Sequence, residues 1–182
     1  MSENTPDMQH TRRSSSLFVF PPYSWAWLFV SAAVVFADWQ TKQLVSQHLE
    51  LYRPQEVFSW LNMTLAHNYG AAFSFLAGAG GWQRWFFIVL ASVISVVLLV
   101  WLIRLPRREW MTGLGLGLIL GGAIGNVIDR VRLGYVVDFI DVHFGGWHYP
   151  AFNVADSAIT CGVILLLLDM VLVTMRNKRA AQ

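Results

Sequence analysis

Long apolar runs separated by short polar stretches dominate this chain. Residues 85–103 and 111–128 contain no charged side chain, and each approaches the roughly 20 residues a helix needs to cross a bilayer's hydrocarbon. Residues 24–37 are also uncharged but shorter, and reach span length only by taking in Asp38 and its neighbours. Residues 154–174 qualify if Asp156 marks the start and Asp169 lies towards the other end. The pattern predicts four transmembrane helices. Between them the periodicity changes. Residues 56–66 and 134–144 alternate apolar and polar side chains, with Gly134 as a turn, and predict short strands. The expected fold is mainly α: a polytopic membrane protein with four transmembrane helices and a small extracytoplasmic β element. It forms a single domain over 23–176, and no internal repeat is visible. Residues 1–22 are polar and serine-rich, expected to be a disordered cytoplasmic tail, and 177–182 form a second tail.

Composition agrees. Hydrophobic residues make up 55% and charged residues 13%, against about 45–50% and about 25% in soluble domains. One small domain cannot hide that much apolar surface from water, so membrane lipids are expected partners. The net charge of +2 lies in separate clusters, leaving no basic face for nucleic acid. Three clusters, Arg12 with Arg13, Arg104 with Arg107 and Arg108, and Arg176 with Lys178 and Arg179, fall on one side if four helices alternate. The opposite side carries Arg53, Arg130 and Arg132, with Lys42 and Arg84 at helix ends. The positive-inside tendency then makes both termini cytoplasmic and turns residues 43–83 and 129–153 outward. A rival reading takes Arg12-Arg13 as a twin-arginine export signal with cleavage after Val35-Phe36-Ala37. Three further spans and the Pro21-Pro22 break argue against it. Cys161 is the lone cysteine, so no internal disulfide forms. In its apolar run it reads as a small buried hydrophobe. Asn62-Met63-Thr64 matches a glycosylation acceptor, a pattern short enough to arise by chance.

Ionisable residues at membrane depth are costly and therefore informative. Asp38 lies near the outward end of the first span, where it either snorkels to the interface or serves a site. Asp169, near the cytoplasmic end, is expected to pair with Arg176 or Lys178. Gly113, Gly117, Gly121 and Gly125 recur every fourth residue and line one ridge of the third helix, with Gly122 beside them. Small residues so spaced allow close helix contact. Asn126 and Arg130 follow one turn apart, and Asp129 is expected to pair with Arg132 three residues on.

Two segments carry candidate chemistry. The run Val136-Val137-Asp138-Phe139-Ile140-Asp141-Val142-His143 reads as a strand. Period-two alternation puts Asp138 on a face with Val136, Ile140 and Val142, and Asp141 with His143 on the other. An apolar setting disfavours a charged carboxylate, so Asp138 is expected to hold its proton more tightly than usual. In Pro150-Ala151-Phe152-Asn153-Val154-Ala155-Asp156-Ser157, Asn153 is a natural N-cap and Asp156 stands three residues later, close to a capping box. Asp156 there complements the helix dipole, which suits the ionised form a general base requires. If the intervening loop folds back, Asp138 and Asp156 face one another and share a proton, as in aspartic proteolysis. Three other chemistries fit the sequence less well. Asp141, His143 and His148 lack a helical metal-binding spacing. Ser74, Ser157 and Lys42 offer no local motif for a Ser–Lys peptidase. A proton-coupled membrane carrier using Asp38, Asp138 and Asp156 would call for midplane sites and internal repeats, whereas the aspartates lie at span ends.

Five stretches together resemble the lipoprotein signal peptidase family, also called signal peptidase II, from about the first span to the fourth. They are Ala37-Asp38-Trp39-Gln40-Thr41-Lys42, His67-Asn68-Tyr69-Gly70-Ala71-Ala72-Phe73-Ser74, Gly121-Gly122-Ala123-Ile124-Gly125-Asn126-Val127-Ile128-Asp129-Arg130, Val137-Asp138-Phe139 and Phe152-Asn153-Val154-Ala155-Asp156-Ser157. The resemblance implies that Asp138 and Asp156 are the catalytic pair. Asp38, Asn68, Gly122, Asn126, Asp129, Arg130, Asn153 and Ala155 would then hold substrate or support the pair. It also implies an aspartic endopeptidase of the bacterial inner membrane that needs no metal or cofactor, with its active site at the outer face under a small β cradle. Its substrates would be diacylglyceryl-modified prolipoproteins, cut before the lipidated cysteine, and it is expected to work as a monomer. Asn68 and Asn126 would offer amides to an extended peptide backbone without adding charge.

Overall fold

The computed structural model describes residues 24–70 and 80–180. The tail 1–22 with its arginine pair, Pro21-Pro22 and residues 71–74 of the second motif lie outside the described residues. Four helices, α1 (Ser24–His48), α2 (Trp82–Arg104), α3 (Trp110–Arg132) and α4 (Val154–Ala180), carry a four-stranded antiparallel sheet of β1 (Gln55–Phe58), β2 (Leu61–Asn68), β3 (Val136–Phe144) and β4 (Trp147–His148) in that order. The two alternating runs become β1–β2 and β3. Gly134 turns the chain at φ 89°, as its place in the sequence suggests. The fold is mainly helical. α2, α3 and α4 are each long and apolar enough to cross a membrane. α1 matches them at 25 residues but carries Asp38 and Lys42, both buried.

α3 is the hub, packing on α1, α2 and α4, while α1 and α2 barely meet. Glycine makes this possible. A Cβ on Gly117 would lie 2.9 Å from the Trp27 carbonyl oxygen, on Gly121 2.7 Å from that of Ser31, and on Gly125 2.7 Å from the Asp38 carboxylate. On Gly113 it would run into the Trp27 ring. The whole ridge therefore lies against α1, and Ser31 Oγ donates across it to the Gly117 carbonyl at 2.8 Å. Gly115 and Gly122 face α4 instead, where a Cβ on Gly122 would strike the Ala155 carbonyl. Such approach lets backbones pack where hydrophobic association has no force.

The remaining surfaces are apolar and outward. Val89, Val93, Val96 and Val97 of α2 are all more than half exposed, as suits lipid contact. Cys161 is exposed as well, not buried as expected, and lines the same cavity as Ile159 and Thr160 of α4. Asp169 also departs from expectation. It accepts a 2.5 Å hydrogen bond from Thr112 Oγ1 across the α3–α4 contact, and makes no ion pair with Arg176 or Lys178 among the described residues.

At the C-terminal end of α3, Gly134 N donates to the Arg130 carbonyl at 3.2 Å and Leu133 N to that of Asp129 at 2.7 Å, closing the helix. Arg84 of α2 adds Nε to the Arg130 carbonyl at 2.8 Å and Nη2 to that of Val131 at 2.9 Å. The last carbonyls of the helix thus gain partners. From there the chain enters β3, whose Asp138 stands opposite Ala66 and whose Val136 stands opposite Asn68. The return to α4 is pinned by Phe152. Its carbonyl accepts from Phe139 N at 3.0 Å and Ile140 N at 2.9 Å, and its N donates to the Ile140 carbonyl at 3.1 Å. This is the fold-back that the two carboxylates require.

The α3–α4 contact sets a test. Gly122→Val should lower the unfolding temperature in detergent by the equivalent of about 1–3 kcal/mol, the cost of overpacking. Gly146→Ala, where a Cβ would meet nothing within 4 Å, should leave it unchanged. Equal unfolding temperatures in the two variants would contradict the packing argument.

Candidate active site

Asp138 is 2% exposed on β3. Asn68, at the end of β2, donates from Nδ2 to its Oδ2 at 3.0 Å, and Asn153 donates from Nδ2 to its Oδ1 at 2.7 Å. Asp156 stands in the first turn of α4. There the expected capping box forms: Asn153 Oδ1 accepts from Asp156 N at 2.9 Å, and Asp156 Oδ2 accepts from Asn153 N at 3.3 Å. The other oxygen, Oδ1, accepts from Asn126 Nδ2 at 2.8 Å. Asp138 and Asp156 both line a cavity of about 740 Å³, together with Asn68, Asn126 and Arg130. Ile159 and Phe152 supply apolar wall.

A second layer holds this one. Asp38 is buried and accepts from Lys42 Nζ at 2.7 Å and from Ala155 N at 2.9 Å, so it does not snorkel to the interface. Asp129 pairs with Lys42 at 2.8 Å and accepts from Val137 N at 3.2 Å. The expected partner of Asp129, Arg132, points the wrong way: position 129 faces into the bundle and Arg132 is exposed. Gly122 and Ala155 are the point where α3 and α4 touch. Arg130 donates from Nη2 to the Gly70 carbonyl at 2.7 Å and lies over the Phe87 ring at 5.2 Å. Asn68 Oδ1 accepts from Gly70 N at 3.0 Å. The ten residues singled out in the sequence thus fall into one cluster, six at or beside the cavity and four behind it. Lys42, at the centre of the second layer, is in the sequence a helix-end charge, the last residue of the first motif stretch and a possible Ser–Lys partner, with no supporting role of its own. The signal available was its place one turn after Asp38, on the same face of α1.

Asp138 and Asp141 differ as the strand alternation suggests. Burial, and next the charge of Asp156, push Asp138 up to about 7, against partial relief from Asn68, Asn153 and Lys42. Its surroundings are not purely apolar, because two amides grip the carboxylate. At Asp141 burial pulls upward, but hydrogen bonds from His148, Asn62 and Thr64 outweigh it and hold the group below its ordinary value. Asn62, of the acceptor-like triplet, is buried in that contact. His143 stacks on His148 at 5.0 Å instead of joining Asp141. Among the described residues, no three His, Cys, Asp or Glu side chains gather as a metal site. Ser157 Oγ donates to the Asn153 carbonyl at 2.9 Å and Lys42 is engaged elsewhere, so these two form no Ser–Lys pair; Ser74 lies outside the described residues.

Two carboxylates opening on one cavity at the rim of an apolar helix bundle, with the proton affinity of Asp138 raised by burial, suit hydrolysis by an acid and a base without a covalent intermediate. In class this is an aspartic peptidase of the membrane. The profile of the family described as signal peptidase (SPase) II matches residues 30–172. The chain is 51% identical over 162 residues to a lipoprotein signal peptidase of Acinetobacter baumannii, covering 89% of this chain and 92% of that one. With a lipoprotein signal peptidase of Ectopseudomonas mendocina it shares 52% over 158 residues, or 86% and 94% of the two chains. A bacterial membrane enzyme solved by the in meso method at 2.3 Å resolution superposes with a TM-score of 0.74 at 33% identity, over 82% of this chain and 89% of the other. The chain belongs to the signal peptidase II family. Membership of a peptidase family decides against the carrier reading.

The raised affinity of Asp138 has a consequence for stability. A carboxyl whose folded value exceeds its unfolded value contributes stability that is present at low pH and lost as pH rises. Here the loss should run from the ordinary value of 3.8 up to about 7. Unfolding of Asp138→Asn, followed by intrinsic fluorescence in detergent between pH 4 and 8, should show a flatter dependence and a higher midpoint than the parent at pH 8. Parallel curves for the two proteins would mean that Asp138 titrates normally.

Proposed function

We infer that this protein is the endopeptidase that removes signal peptides from diacylglyceryl-modified prolipoproteins, cutting before the lipidated cysteine, with Asp138 and Asp156 as its catalytic pair. The observation that carries the site assignment is the shared cavity in which burial and the neighbouring Asp156 raise Asp138 to about 7. Protonated Asp138 is the acid and ionised Asp156 the base. Asp156 takes a proton from water as the oxygen attacks the scissile carbonyl, and Asp138 gives its proton to the carbonyl oxygen. Collapse of the tetrahedral adduct returns a proton to Asp138, while Asp156 protonates the departing amine, so the pair regains its starting state. The pair titrates as a unit, and kinetics will report its macroscopic values. Asn68 and Asn126 direct their amides at the two carboxylates, which supports a role in holding the pair more than in gripping the peptide. Asn153 beside the cavity, and Asp38, Asp129, Gly122 and Ala155 behind it, support the pair, and Arg130 fixes the Gly70 backbone.

The surroundings suit such a substrate. All four helices span the bacterial inner membrane in this reading. α1 is included because its buried Asp38 and Lys42 lower its hydropathy without facing lipid. The basic clusters favour cytoplasmic termini, which puts the sheet and the aspartates at the outer face. One peptidase domain covers 23–176, with cytoplasmic tails at 1–22 and 177–182, and α4 continues to Ala180. The enzyme acts as a monomer among membrane lipids, with no cofactor and no nucleic acid partner. A lipidated cysteine places its scissile bond at the interface, level with a site between helix ends and sheet.

Two measurements test this. Cleavage of a diacylglyceryl-modified prolipoprotein by purified Asp138→Asn and Asp156→Asn should fall by about 10²–10⁴-fold each, the usual scale of a general acid–base contribution. The double variant should be little worse, because the two act together. Asp141→Asn should keep most activity, and a dead Asp141 variant beside a live Asp138 or Asp156 variant would refute the assignment. For topology, alkaline phosphatase fused after Gln182 should be inactive and fused near Gly80 active. The reverse pattern would put the site on the wrong side.

A further inference from the structure

Lys42 is 2% exposed, and its ammonium makes three contacts: Asp38 Oδ2 at 2.7 Å, Asp129 Oδ2 at 2.8 Å and Asn126 Oδ1 at 3.2 Å. An ammonium has three N–H donors, so all are engaged. The two ion pairs account for the burial of the charge. The third contact is not needed for charge balance, and it leads to the aspartates. Asn126 Oδ1 also accepts from Asn153 Nδ2 at 3.2 Å. A flipped Asn126 amide would set its NH2 against an ammonium and a second NH2, which leaves one orientation. Nδ2 must then point at Asp156 Oδ1, 2.8 Å away. Asn153, fixed by the same oxygen, gives Nδ2 to Asp138 at 2.7 Å and Oδ1 to Asp156 N at 2.9 Å. One cation thus determines, through one amide, the donors presented to both carboxylates.

We propose that Lys42 is a positioning residue of the peptidase, orienting the Asn126 amide so that Asp156 and, by way of Asn153, Asp138 are held in the arrangement that shares a proton. The inference rests on the assignment of Asp138 and Asp156 as the catalytic pair. The charged groups facing this unit are Asp38 from α1, Asp129 and Arg130 from α3, Asp138 from β3 and Asp156 from α4. Arg84 of α2 turns to the carbonyls at the end of α3. The Lys42 charge favours the ionised form of Asp138, so its removal moves the titration of the pair to higher pH.

The test compares Lys42→Met and Lys42→Arg with the parent and with Asp138→Asn, using a diacylglyceryl-modified prolipoprotein and the amount of folded enzyme in detergent as the denominator. Lys42→Met should lower kcat roughly 10- to 100-fold, the scale of one hydrogen bond to a charged group. KM should stay within about threefold, because the effect lies in the chemical step, and the kcat–pH profile should move to higher pH. Lys42→Arg keeps the charge, so it should fold at the parental level with the profile in its parental place. Its kcat should still be reduced, because a planar guanidinium cannot bridge both acids and also meet Asn126 as an ammonium does. Parental kcat in whichever variant folds overturns the proposal, as does a loss confined to KM with an unmoved profile. Absence of both variants from the membrane would assign Lys42 to folding alone and overturn it too. If Asp138→Asn stays active, the catalytic pair itself is wrong. If Asp138→Asn is dead while the Lys42 variants match the parent, only the role of Lys42 is wrong.

Discussion

The site depends on how closely α3 approaches its two neighbours. Residues whose Cβ would meet a carbonyl or carboxylate within 3 Å have no room for a side chain, and Gly117, Gly121 and Gly125 meet this condition against α1. Gly122 meets it against Ala155 of α4. With the backbones this near, side chains as short as aspartate and asparagine reach from one helix to the next. Asp38 of α1 accepts from the backbone N of Ala155, in the first turn of α4, at 2.9 Å. Asn126 of α3 touches Lys42 of α1, Asp156 of α4 and Asn153 ahead of it. A wider spacing would leave the same polar groups unpaired inside the bilayer, where each unsatisfied group costs several kcal/mol.

This arrangement inverts that of a soluble domain. The exposed side chains of α2 are mostly aliphatic and aromatic, whereas Asp38, Lys42, Asn126, Asp129, Asp138 and Asn153 are buried. The apolar cluster of Leu102, Leu105, Leu116 and Leu120 is small and lies away from the cavity. Near the cavity, cohesion comes from a network in which nearly every buried group has a named partner. Such networks favour one arrangement strongly when fully satisfied and are costly when they are not. That property suits a catalyst that must hold two carboxylates at a fixed relation.

Much of this was legible in the chain. Hydropathy marked the helices, the four-residue glycine period marked the contact ridge, and strand alternation separated Asp138 from Asp141. Asn153 and Asp156 announced the helix start by their spacing alone. What the chain could not convey was partner choice across elements. Asp129 has a basic residue at a plausible helical spacing, yet it pairs with Lys42, distant in sequence, because α3 turns that face inward. Asp169 likewise finds Thr112 and not a nearby cation. Cys161 sits in a run apolar on every side, and nothing in such a run says which face opens on the cavity. Local periodicity reports a residue's face; only the packing of helices reports what lies opposite.

Phe152 gives the sheet a further significance. Its carbonyl and N tie the approach to α4 onto β3 through Phe139 and Ile140. Asp138 on β3 and Asp156 on α4 are therefore tied by three backbone hydrogen bonds at the edge of a small sheet, in addition to the side-chain contacts that Asn126 and Asn153 make with them. Local opening of such an edge has a lower free energy than melting of packed helices. Opening of this edge on warming would therefore loosen the relation of Asp138 to Asp156 while the helices stay folded.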